Sequence, residues 1–121
     1  MRFLEGPRPR ILAHRGLATE APENTLAAFR AAVAVGATHV ESDVRVSADG
    51  VAMLAHDATL DRVAGAATRI DRTAARALQS MDLGRGHGMP TLADALAAFA
   101  DVRWNLDLKG PEAVAPVVRA I

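Results

Sequence analysis

Hydrophobic and polar residues alternate with a period of two along two stretches of the chain. In THVESDVRV (38–46), Val40, Ser42, Val44 and Val46 share one face, and Glu41, Asp43 and Arg45 share the other. In VRWNLDLK (102–109), Trp104, Leu106 and Leu108 oppose Asn105, Asp107 and Lys109. Both stretches predict strands, and an apolar run over residues 10–13 predicts a shorter one before them. Elsewhere the period changes. From Asn24, read as an N-cap, Leu26, Phe29 and Val33 recur at helical spacing until Gly36 ends the run. SADG carries Asp-Gly turn chemistry, and VAMLAHD (51–57) runs back from it as a hairpin arm. A helix over 72–80 capped by Asp71 is expected next, followed by a GRGHGMP loop. Thr91 caps a further helix with Leu92, Leu96 and Phe99 on its apolar side, and Asp94 stands near the capping-box position. Pro111 opens the last helix at its natural first position.

Strands separated by helices imply parallel pairing through right-handed crossovers. An open doubly wound sheet and a (β/α)8 barrel both satisfy that order. Three main strands cannot close an eight-stranded barrel, and the last helix stops at Ile121 without a cap, so the chain reads as unfinished. Its 121 residues suit one domain, 1–121, and a half-hydrophobic composition supplies a core. Lys plus Arg equals Asp plus Glu at 14 each, which gives no excess charge to attract nucleic acid or an anionic membrane. Three Phe, one Trp and no Tyr leave little surface for stacking bases. The lack of Cys excludes disulfides and thiolate metal sites. No apolar run reaches membrane-spanning length and no secretory pattern opens the chain, so a soluble, cytoplasmic protein is expected.

The charged faces of the two alternating strands carry the candidate chemistry. If helices cover the apolar faces, Glu41, Asp43 and Asp107 look into a barrel or its mouth. Carboxylates gathered there are costly without a cation among them. An all-oxygen set favours a hard cation such as Mg2+ or Ca2+ over Zn2+. The alternative is an antiparallel sheet whose wet face merely solvates these charges. His14 and His56 stand at predicted strand ends, as structural histidines or, beside carboxylates, as an acid–base pair. Arg15 and Lys109 would bind a phosphate or pair with a neighbouring carboxylate. His39 and His87 read as incidental.

Taken together, AHRG (13–16), PENT (22–25), ESDVRVSADG (41–50), HD (56–57), MPTLADAL (89–96) and LDLK (106–109) resemble the glycerophosphodiester phosphodiesterase family in order and spacing. The family fold is a (β/α)8 TIM-type barrel, so the resemblance implies its first half here, because eight βα units need roughly 250 residues. It implies metal-dependent hydrolysis of a glycerophosphodiester to glycerol 3-phosphate and an alcohol, in lipid and glycerol metabolism. His14 and His56 match the catalytic histidines, Arg15 and Lys109 the phosphate-binding cations, and Glu41 and Asp43 two ligands of a divalent metal ion, Mg2+ or Ca2+. Asp107 falls where the family usually carries a Glu ligand, and Ser47 where Thr is common. Three other readings stay open: a non-catalytic metal- or phosphate-binding module, an assembly subunit with an exposed strand edge, and a related phospholipase-type phosphodiesterase. An incomplete barrel exposes apolar surface and strand edges, so self-association or a partner supplying the second half is expected.

Overall fold

The computed structural model describes residues 2–121. In chain order its elements are β1 (Leu12–His14), α1 (Leu26–Ala34), β2 (His39–Val46) and β3 (Ala52–Leu54), then a small hairpin. The hairpin comprises β4 (Thr59–Leu60), α2 (Asp61–Ala64) and β5 (Ala66–Arg69). It is followed by α3 (Ala75–Ser80), α4 (Leu92–Ala98), β6 (Arg103–Leu108) and α5 (Val114–Ala120). β2 organises the main sheet because it is paired on both edges. One edge takes β1 in parallel, with His14 opposite Glu41, and then β3 antiparallel, with Leu54 opposite Val44. The other edge takes β6 in parallel, with Asp43 opposite Asp107.

The alternation read from the sequence decides what each face buries. Val40 and Val44 point into a core shared with Phe29 of α1, Leu92 and Ala95 of α4, and Val117 of α5, against which Trp104, Leu106 and Leu108 pack. Phe29 meets Trp104 edge to face with ring centroids 5.0 Å apart, a favourable aromatic geometry beyond simple area burial. The opposite face of β2 and β6 carries Glu41, Asp43, Asn105 and Asp107. Parallel pairing excludes the wet antiparallel sheet. Helices gathered on one face of β2 and β6, with carboxylates on the other, match the wall of a barrel rather than a doubly wound sheet. A second cluster, containing Met53, Leu60, Ile70, Leu78 and Met89, seats the hairpin and α3 beside β3.

Several sequence expectations are corrected. Thr25, not Asn24, caps α1: its Oγ1 accepts the Ala28 N–H at 3.2 Å. The helix expected over 72–80 breaks into a 3-10 turn (Ile70–Arg72) and α3, and Asp71 pairs with Arg69 instead of capping. The β4–β5 hairpin was hidden in a sequence with no alternation long enough to mark it. Thr91 does cap α4, but Asp94 turns its carboxylate to Gln79 and forms no capping box. Pro111 opens a 3-10 turn (Pro111–Ala113), and the helix proper begins at Val114. Pro116 therefore falls in the first turn of α5, where a missing N–H costs no intrahelical bond.

The turn after β1 is tightly constrained. Gly16 has φ +81°, and a Cβ placed there would lie 2.6 Å from the carbonyl carbon of Ala28 in α1. Backbone strain and overpacking then act together. Gly16→Ala is expected to lose about 2–4 kcal/mol of unfolding free energy in a denaturant titration, whereas Gly50→Ala, also at positive φ but with open space around it, loses only the strain component.

Candidate functional site

Strand register gathers the candidate residues. His14 ends β1 opposite Glu41, and Asp43 lies directly across from Asp107, so these side chains project to the same side of the sheet. One carboxylate oxygen from each of Glu41, Asp43 and Asp107 falls within 4.8 Å of the others. This is a donor set of the kind a hard divalent cation takes. Lys109 leaves the end of β6 and places Nζ 2.7 Å from Asp107 and 3.2 Å from Asp43. Arg15 places Nε 3.2 Å from Asp43 Oδ2, off the hydrogen-bonding direction, so that contact is ionic. His14 Nε2 stands 3.7 Å from Glu41, with most of its ring in solvent. Six of the seven residues singled out in the sequence thus form one cluster. A small cleft of about 70 Å³ lined in part by Arg45 and Lys109 opens beside it.

His56 is the seventh, and it joins the cluster through intermediaries. Its ring Nδ1 lies 2.6 Å from Asp57 Oδ1, and its carbonyl accepts from Arg45 Nε at 2.7 Å. Asp57 Oδ2 takes the Nε–H of Arg62 at 2.8 Å, and Arg62 in turn holds Glu23. Glu23 closes the path by accepting from Arg15 Nη1 at 3.0 Å.

Asp43 is the best buried of these groups, only 1% exposed. A carboxylate at that depth needs compensation. Asn24 Nδ2 donates to Asp43 Oδ2 at 3.1 Å, and Asn24 Oδ1 accepts from the buried Ser42 hydroxyl at 2.8 Å. Burial pushes the Asp43 carboxyl up, but Asn24, Lys109 and Arg15 together outweigh it and hold the group below its ordinary value. Glu41 goes the other way: burial, then the neighbouring Asp43 charge, raise it against the pull of His14 and Arg15. Hydrogen bonding to Asp107 raises Lys109.

The backbone at the site is unusual in two places. Arg15 and Asn24 both take left-handed φ, +56° and +57°, and the Asn24 N–H donates to the Arg15 carbonyl at 3.0 Å. The residues missed by sequence reasoning are Asn24, taken for a cap, and the bridging trio Glu23, Asp57 and Arg62. Glu23, Asn24 and Asp57 lay inside quoted motifs, but nothing in their local pattern showed what they bond. Arg62 carried no local signal, since its partners lie five and 39 residues away. His39 is a buried structural residue: Nδ1 lies 2.8 Å from Thr38 Oγ1 and Nε2 2.6 Å from the Phe3 carbonyl.

Residues 14–116 match the model of the glycerophosphoryl diester phosphodiesterase family. Among curated proteins, the chain is 39% identical over 111 residues to "Probable glycerophosphodiester phosphodiesterase 2" of Mycobacterium tuberculosis, covering 91% of this chain and 42% of that one. Among solved structures, it is similar to an Oleispira antarctica phosphodiesterase in complex with the product sn-glycerol-3-phosphate. That likeness has a TM-score of 0.86 and 32% identity, over 93% of this chain and 51% of that one. A glycerophosphodiester phosphodiesterase from Agrobacterium tumefaciens aligns with a TM-score of 0.81 and 35% identity, over 91% and 52% of the two chains. The chain therefore spans about half the length of these relatives or somewhat less.

Two outcomes follow from the geometry. Asn24→Gly, which accepts the left-handed backbone without strain, should still lose about 1–3 kcal/mol on chemical denaturation, because Ser42 and Asp43 stay buried without their partner. Unchanged stability would show that Asn24 does not support Asp43. Hydrogen bonding from Arg62, then His56, lowers the Asp57 carboxyl from its ordinary 3.8 to about 2. The contribution of that pair to stability is complete above pH 3.8 and is lost as pH falls through about 2. The Asp57 carboxyl 13C shift followed against pH reads this directly, and a midpoint near 3.8 would show that the pair does not form.

Proposed function

The chain belongs to the glycerophosphoryl diester phosphodiesterase family, and on that premise we propose that it carries the catalytic residues of a phosphodiesterase that hydrolyses glycerophosphodiesters to glycerol 3-phosphate and an alcohol. The observation that carries this reading is the convergence of Glu41, Asp43 and Asp107 within 4.8 Å, with Arg15 and Lys109 against the same carboxylates. The product held by the Oleispira phosphodiesterase supports glycerol 3-phosphate as the phosphate-bearing half.

Each side chain has a role its chemistry fits. Arg15 and Lys109 offset the charge of the phosphodiester, Arg through a planar pair of donors and Lys as a point charge. Held at the ends of two different strands, they fix the phosphorus between them. One of His14 and His56 accepts the proton of the attacking oxygen, and the other donates a proton to the departing alkoxide. Glu41, Asp43 and Asp107 would hold a divalent cation, Mg2+ or Ca2+, which would supply positive charge to the phosphodiester. Arg15 and Lys109, now against Asp43 and Asp107, are the cations positioned to face an anionic substrate.

The sheet also has partners to find. Among the described residues β1 and β6 are each hydrogen-bonded on one edge only, and those free edges pair with further strands, from additional chain or from a second copy. Light scattering across a dilution series reads the second case, with a mass that falls on dilution.

Two measurements test the function. Titration calorimetry with Mg2+ and Ca2+ should show saturable binding that is lost in Glu41→Ala and Asp43→Ala and weakened in Asp107→Asn. Equal binding by wild type and variants would remove the metal site. In hydrolysis assays His14→Ala and His56→Ala should each cost about 10²–10⁴-fold in rate without shifting the unfolding transition. Full activity in both would return these histidines to a structural role.

A further inference from the structure

From the network around α2 we infer that Arg62 is a positioning residue that sets two arms of the site at once, orienting His56 through Asp57 and Arg15 through Glu23. This rests on the phosphodiesterase reading above and adds to it a residue outside the cluster. Arg62 sits on a four-residue helical turn with no buried residue of its own, and half of its side chain is in solvent. Its guanidinium nevertheless spans two carboxylates from different segments. Nε donates to Asp57 Oδ2 at 2.8 Å, while Nη1 and Nη2 both reach Glu23, the latter at 3.2 Å. Only the planar fork of Arg presents donors in two directions at fixed angles.

Both recipients pass the constraint inward. Both carboxyls are ionised at neutral pH and act only as acceptors, and the Arg62 donors set where their oxygens point. An ionised Asp57 Oδ1 at 2.6 Å from His56 Nδ1 requires the hydrogen to sit on Nδ1. In the neutral ring Nε2 then carries the lone pair that can take a proton. Glu23 Oε2 accepts from Arg62 Nη2 and from Arg15 Nη1, which fixes the guanidinium that lies against Asp43. Arg62 itself is half in solvent, where an ion pair contributes little to stability, and Glu23 keeps Arg15 as a second partner. Removing Arg62 therefore leaves the fold standing while releasing both arms, an outcome that a purely structural role would not give.

The test compares the full chain with Arg62→Gln and Arg62→Lys, using two readouts besides activity. The first is the His56 tautomer, read from 15N–13C correlation spectra of the ring. The second is affinity for sn-glycerol 3-phosphate, read by calorimetry. Arg62→Gln should keep a native backbone spectrum, convert His56 from the Nδ1–H form to a mixture of both tautomers, and weaken phosphate binding roughly ten-fold. Asp57→Asn should move the first readout alone and Glu23→Gln the second alone. Arg62→Lys keeps the charge without the fork and should recover at most one of them. Both readouts unchanged in Arg62→Gln, or only one of them changed, overturns the two-armed role, and so does global unfolding. If the wild-type chain fails to bind sn-glycerol 3-phosphate, the phosphodiesterase reading fails; the His56 tautomer still decides whether Arg62 positions that ring.

Discussion

A carboxylate almost wholly removed from water, that of Asp43, is the constraint on which the rest of the site depends. It sits mid-strand on β2, where a buried unpaired charge is untenable. Three segments far apart in sequence answer it: Arg15 after β1, Asn24 before α1, and Lys109 after β6. Each partner that withdraws leaves the charge less well compensated. The demand of one side chain thereby ties the ends of β1 and β6 to the strand between them. The same arrangement concentrates two cations beside three carboxylates, a balance that a divalent ion and an anionic substrate can both exploit.

Local backbone geometry is arranged to meet that demand. Arg15 and Asn24 both occupy left-handed φ, each at a cost, and they are bonded to one another through the Asn24 N–H. Gly16 between them in sequence lets the chain pass within contact of α1. The result is that two short motifs, one after a strand and one before a helix, behave as a single rigid corner. The corner lies above a core built on Phe29, Val40, Val44 and Leu92.

The second histidine arm is built differently. His56 follows β3 and reaches the cluster through Asp57, Arg62 and Glu23, groups that are far better hydrated than Asp43. Solvent screens such pairs, so they direct side chains more than they stabilise the fold. The site thus joins a buried half, where stability and geometry are inseparable, to a surface half, where geometry can be changed with little loss of stability.

Much of this was legible in the sequence, for a physical reason. Period-two alternation in 38–46 and 102–109 follows from the strand itself, and it alone placed Glu41, Asp43, Asp107 and Lys109 on faces opposite the core. Helix starts marked by Thr91, and chain reversal at Asp-Gly, are equally local. His14, Arg15 and His56 stood out at the ends of apolar runs, and the resemblance in AHRG, PENT and HD gave them roles. What the sequence could not disclose was pairing across space. Asn24 has the composition of a cap, and only the approach of β2 converts it into the partner of Asp43 while Thr25 takes the capping role. The hairpin that carries Arg62 has strands too short to show a period, and its bonds to Glu23 and Asp57 exist only once the chain has folded back. By itself the sequence determined which residues face core and which face the site, because side-chain direction is set by local backbone period. The tertiary structure alone decided which charges meet, because that depends on strand register and on segments brought together from opposite ends of the chain.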